Sequence, residues 1–312
     1  MNRFHNILYV SQGLNDETDG LKQALSLARN NKAALSILII APDLPKNLKE
    51  YEAKLDEGLE ASVRDTIEKT LKLLNIAEEE TPFSISVERD KTPGVRIIKS
   101  VLQHGYDLVI KEAQPIRKSL GYKAVDMNLL RKCPCPVWLC RHISKSRQEM
   151  NVAVAIDPEN EQKVGEDLAI QMLQMGTSLA ESCSGKLNVI SCWDFEYENF
   201  LRDNMWAPVP EDRIQQATAN VQDSHHAALE KVIEKSGIDT EMTRINHFRG
   251  QPDEVIPKFV EDHDIDILIM GTLARTGVPG FTIGNTAENV VRELSCSLLA
   301  LKPEGFICPV QL

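Results

Sequence analysis

A chain of 312 residues with a formal net charge of −11 is long enough for about two domains of ordinary size, and too acidic for a nucleic-acid backbone to be its main partner. No Lys/Arg stripe interleaved with aromatics offsets that charge. Nothing in the chain approaches the roughly 18 apolar residues of a membrane span, and the opening segment has too short an apolar run for a signal-peptide core.

Residues 7–10 read as a short buried strand, followed by Leu21, Leu25 and Ala28 at helical spacing; residues 35–41 read as a second strand, closed by Pro42. Leu55, Leu59, Val63, Ile67, Leu71 and Leu74 recur at intervals of three or four, which predicts one long amphipathic helix over 48–74. Phe83, Ile85 and Val87 alternate as a third strand. Pro93 and Gly94 open a helix carrying Val95, Ile98 and Leu102. Residues 107–111 and 136–140 supply a fourth and a fifth strand. The seven cysteines, an odd number lying mostly in apolar runs, indicate a reducing compartment, so a cytosolic protein without membrane or nucleic-acid partners is expected. Cys133 and Cys135 have one residue between them, shorter than zinc-ligand spacing, and no metal site is expected there. His225 and His226 fall in a polar helical segment and read as a solvated pair.

The second half repeats this order, with strands near 152–157, 187–193, 242–248, 266–271 and 298–302 and helices between them. Pro93 and Pro252, and Asp107 and Asp266, are each 159 apart; Asn128 and Asn289, Arg131 and Arg292, and Cys135 and Cys296 are each 161 apart. Constant offsets over separate stretches indicate duplication. The charged segment 142–149 then links a domain at 1–145 to one at 150–312. Strands alternating with helices imply an α/β architecture of two tandem doubly wound domains, each a parallel sheet covered on both faces.

The segment 264–292 gathers the candidate chemistry. An apolar strand ending at Met270 and Gly271 is followed by Ala274, Gly277, Gly280 and Gly284, then Asn285, Thr286 and Glu288. Asn285 with Glu288 reads as a capping box at a helix start. Glycines that let the backbone approach closely, followed by helix amides without internal partners, suit a phosphate. Asp157 before Pro158 also reads as a turn opener. The aromatic insert Trp193, Phe195, Tyr197, Phe200 and Trp206 can wall a pocket, form a lid or pack a core.

Gly271 and Gly284 lie at the spacing of the first and third glycines in the nucleotide loop of the universal stress protein family, with Ala274 at the second and Asn285 and Thr286 around the hydroxyl position. With Leu129-Leu130-Arg131-Lys132-Cys133-Pro134 leading into Pro136-Val137-Trp138, and with the tandem repeat, the whole chain resembles the two-domain members, most closely the UspE type. The resemblance implies a five-stranded parallel sheet of order 3-2-1-4-5 in each half, with ligands beyond the carboxyl ends of strands one and four. It implies an adenine-nucleotide site, ATP or AMP with an accompanying Mg2+, or another small-molecule site, at Ile156, Asp157, Cys192, Met270, Gly271, Gly284, Asn285 and Thr286. In the first half Ser11 is expected where the second has Asp157, and no glycine lies between the fourth strand and Gly121, so no nucleotide is expected there. Members of the family pair through their fifth strands, which implies an intrachain pairing of 136–140 with 298–302 and leaves a homodimer open. No Gly-x-Ser-x-Gly elbow and no P-loop lysine motif is present, so the expected function is a non-catalytic stress-response protein. The alternatives are an interaction scaffold or apolar-ligand carrier that has lost nucleotide binding, and a weak nucleotide hydrolase.

Overall fold

A computed structural model describes residues 4–13, 18–113, 124–159, 163–272 and 283–312. Ala274, Gly277, Gly280 and Gly121 lie outside these. The chain divides into two compact units, one built mainly from Met1–Ser144 together with Cys296–Leu312, the other mainly from Lys145–Arg275 together with Gly284–Ser295.

In the first unit β1 (Asn6–Ser11), β2 (Ala34–Ala41), β3 (Phe83–Arg89), β4 (Leu108–Glu112) and β5 (Val137–Cys140) alternate with α1 (Thr18–Asn31), α2 (Glu52–Leu74), α3 (Pro93–His104) and α4 (Ala124–Lys132). The strands are ordered β3-β2-β1-β4-β5, all parallel. β1, β4 and β5 are buried along nearly their whole length, as central strands of a sheet covered on both faces must be. In the second unit β6 (Val152–Ala155), α5 (Lys163–Ser182), β7 (Leu187–Trp193), α6 (Glu198–Asp203), α7 (Glu211–Ser236), β8 (Thr243–Arg249), α8 (Pro252–Asp262), β9 (Ile267–Gly271) and α9 (Asn285–Glu293) follow, and the parallel order β8-β7-β6-β9 repeats the first. The last strand, β10 (Ser297–Leu301), lies in the first unit and pairs antiparallel with β5, Leu299 opposite Trp138.

Duplicated residues do duplicated work. The carboxylate of Asp107 accepts from the backbone N–H of His5 and of Asn6 at 2.6 and 3.1 Å, while the Asn6 amide donates to the carbonyl of His104 at 2.9 Å. Asp266 accepts from the N–H of Asn151 at 2.8 Å, and the Asn151 amide donates to the carbonyl of Asp264 at 3.2 Å. Each aspartate ties the start of its unit's first strand to the turn before the fourth. Lys145 adds an ion pair to Asp266 at 2.9 Å, so the linker is anchored to the second unit.

One helix departs from its periodicity. Val63, Ile67 and Leu71 of α2 are buried, but Leu55 is 47% exposed. Among the described residues no helix is long and apolar enough to cross a membrane.

Candidate functional site

The carboxyl ends of β6, β7 and β9 bring most of the expected site residues together. Ala155 pairs with Met270 and with Ile190, so Ile156 and Asp157 leave the sheet beside Gly271 and Cys192. Ile156 is fixed from both sides, its N–H donating to Ile190 O at 3.0 Å and its carbonyl accepting from Ser191 Oγ at 3.1 Å. Asp157 Oδ1 accepts from the N–H of Glu159 at 3.2 Å, the turn that an Asp-Pro pair favours. Met270 is buried. Burial pushes the half-buried Cys192 thiol up to about 12, leaving it protonated and a poor nucleophile at neutral pH.

Gly271 has a packing reason of its own: a Cβ there would stand 3.0 Å from Leu168 Cδ2 of α5. Gly284 is the N-cap of α9, and its N–H donates to Thr272 O at 3.3 Å while its carbonyl accepts from Glu288 N at 2.8 Å. The helix therefore begins at Asn285, which corrects the expected capping box: Asn285 is the first helical residue, not the cap, and Glu288 pairs with Arg292 at 2.7 Å. Asn285 and Thr286 are exposed. With glycine as N-cap, no cap side chain reaches the first-turn amides.

Strand register shows how the halves correspond. Ile7 pairs with Leu35 and Leu108 as Val152 pairs with Leu187 and Ile267. Counting along the strands sets Ser11 against Ile156, Gln12 against Asp157, Ile40 against Cys192, Lys111 against Met270 and Glu112 against Gly271. Gln12, not Ser11, thus stands in the place of Asp157. In the first unit these strand ends surround a cavity of ≈ 480 Å³ lined by Ser11, Gln12, Ile40 and Lys111 among others. Lys111 Nζ lies 2.9 Å from Asp126 Oδ1, both side chains almost wholly buried, and donates to the Glu112 carbonyl at 2.8 Å. The approach to Asp126 is an ion pair rather than an aligned hydrogen bond, and neither oxygen of Asp126 accepts a hydrogen bond among the described residues.

Three further clusters were also marked by the sequence. His225 is 1% exposed, which corrects its reading as solvated; its Nδ1 lies 2.8 Å from His247 Nε2, and the rings stack. Burial, then the neighbouring imidazoles, hold His247 below the ordinary histidine range. In the aromatic insert Trp193 is buried against Arg249, whereas Tyr197, Phe200, Met205 and Trp206 face outward, Trp206 98% exposed. Cys133 and Cys135 are buried, their sulfurs 3.7 Å apart. No group of three or more His, Cys, Asp or Glu among the described residues could hold a metal ion.

A family model described as the universal stress protein family matches residues 3–141 and 150–302. Universal stress protein E of Photorhabdus laumondii is 26% identical over 319 aligned positions, covering 100% of this chain and 99% of that protein. The Escherichia coli K12 protein of the same name is 29% identical over 234, covering 74% and 72%. Among solved structures, a universal stress protein from Archaeoglobus fulgidus DSM 4304 superposes with a TM-score of 0.62 at 17% identity, covering 96% of this chain and 99% of that one. A functionally unknown protein from Pseudomonas aeruginosa PAO1 gives 0.70 at 23%, covering 97% and 94%. Two matched segments, the repeated β-α order and full-length likeness to a universal stress protein lead to one conclusion: this chain belongs to the universal stress protein family, in its tandem form.

Proposed function

We propose that the chain is a non-catalytic, ligand-responsive stress protein whose second domain takes an adenine nucleotide, AMP or ATP with its Mg2+, at the strand ends around Asp157, Cys192, Gly271 and Gly284. The observation that carries this reading is the start of α9. Gly284 caps the helix without a side chain, hydrogen-bonded to the residue that follows Gly271. The amides of Asn285, Thr286 and Ala287 open the helix with no partner inside it, the arrangement that favours an anion. The cysteines whose thiols are pushed up, Cys135, Cys140 and Cys192 among them, are poor nucleophiles, which supports binding over catalysis. The seven free thiols support a cytosolic location.

Calorimetry tests the proposal. AMP or ATP binds with a Kd of about 1–100 μM, or roughly −8 to −5.5 kcal/mol. Asp157→Ala weakens binding about tenfold, and Gly271→Val abolishes it. Because the Cβ of Gly271→Val also meets Leu168, its circular dichroism is compared with that of the parent. Absence of heat with either nucleotide overturns the reading. The exposed Tyr197, Phe200, Met205 and Trp206 favour a second reading, an interaction scaffold or apolar-ligand carrier; native mass spectra of freshly purified protein showing only the bare chain mass argue against a tightly held ligand.

A further inference from the structure

The cavity of the first unit occupies positions where no nucleotide was expected, and its chemistry differs from that of the second unit. Its volume of ≈ 480 Å³ falls within the roughly 300–1,000 Å³ typical of small-molecule sites. Its walls are aliphatic, including Val10, Ile40 and Ile97. Two facts set its charge. The buried ammonium of Lys111 is already neutralised by Asp126. Asp43 and Asp90 line the cavity with Lys91 and Lys111, so once Lys111 is set against Asp126 two carboxylates face one remaining lysine.

We propose that this cavity is a second, independent ligand site that takes a small organic monocation, an amine or amidinium on an apolar body, and rejects anions. The apolar body fills the space beside Ile40 and Ile97, and the cationic end faces Asp43 and Asp90. Asp90 is preset for this role: Thr92 donates to its Oδ1 from both N–H and Oγ1, at 2.6 and 2.7 Å. Those bonds hold its carboxyl below the usual range, so it stays ionised at neutral pH. Because Lys111 and Asp126 cancel, the preference comes from Asp43 and Asp90, and it does not depend on nucleotide binding in the second unit.

Three matched probes test the inference on the full-length protein: 4-phenylbutylamine, 4-phenylbutanol and 4-phenylbutyrate, followed through isoleucine methyl resonances. The amine is expected to shift the Ile40 and Ile97 methyls and to bind about fivefold or more tighter than the carboxylate, the scale of one partly exposed charge pair. In the double variant Asp43→Asn/Asp90→Asn the amine loses that advantage while the alcohol binds as before. The carboxylate binding as tightly as the amine would overturn the proposal. So would shifts confined to second-unit methyls such as Ile156, or no shift with any probe at about 10 mM, weaker than −2.7 kcal/mol.

Discussion

At the scale of single residues, the chain contains its own control for a buried charge pair. Lys111 and Asp126 pair inside the first unit, and the equivalent positions in the second hold buried Met270 and Ala287. Removing one member of a buried pair strands the other in a low dielectric and costs about 3–5 kcal/mol, whereas replacing both by apolar residues is often neutral or stabilising. Lys111→Met and Asp126→Ala should each lower the urea midpoint sharply, and the double variant should return near the parent; additive losses would show that the pair contributes net stability. A second buried lysine gives a pH signature. Lys302 donates to the Leu130 carbonyl and lies 4.8 Å from the Phe306 ring centre, and burial lowers it to about 8. Below pH 8 both folded and unfolded chains carry this charge, and folding bears the full cost of burying it, on the order of 3 kcal/mol. Between pH 8 and the unfolded value near 10.5 the unfolded chain holds the extra proton, so this contribution to stability rises with pH. The gap between Lys302→Met and the parent should accordingly favour the variant at pH 7 and narrow by pH 10; a gap independent of pH would refute the assignment.

At the scale of elements, helix packing on the second sheet is limited by one glycine. A Cβ on Gly176 of α5 would press into Val154 Cγ2 and stand 2.9 Å from Leu187 Cδ1, on β6 and β7. Alanine gains about 1 kcal/mol of helix propensity there, but overpacking costs about 1–3 kcal/mol. Gly176→Ala should thus lower the thermal midpoint, while Gly58→Ala, where a Cβ meets nothing within 4 Å, should raise it. Equal midpoints for the two variants would contradict this packing. The same elements show what a sequence reveals. Strands such as Leu108–Glu112 were legible because burial on both faces leaves an unbroken apolar run, and the offset of 159 was legible because Asp107 and Asp266 perform the same tie. Leu55 was misread because periodicity marks a stripe but not how much of its length is covered. The helix start moved from Asn285 to Gly284 as N-cap because a capping pattern looks much the same one residue out of step. Gln12 was missed as the partner of Asp157 because counting from strand ends cannot replace pairing register. His225 was misjudged because its partner, His247, lies 22 residues away on β8, beyond any local pattern.

At the scale of the molecule, the chain's last strand completes its first unit. β5 is buried along its length, and β10 lies antiparallel along it, with the N–H of Arg141 donating to Ser297 Oγ at 2.9 Å. Lys302 and Cys308 extend the attachment, to the carbonyls of Leu130 and Lys132. A fragment ending at Lys145 would therefore leave Val137–Cys140 as a bare apolar edge, the kind that pairs with other chains. That fragment should elute from size exclusion as oligomer or aggregate. Supplying the missing strand in cis should cure it. Cys140 and Ser297 adjoin at the ends of an antiparallel pair, so a short Asn-Gly turn joining residues 1–141 to 296–312 makes a hairpin with the native register. This rebuilt first unit should elute as a monomer and unfold cooperatively. If the bare fragment is a stable monomer, or the rebuilt one aggregates as readily, then β10 is dispensable to the first unit and its integrity rests on its own five strands.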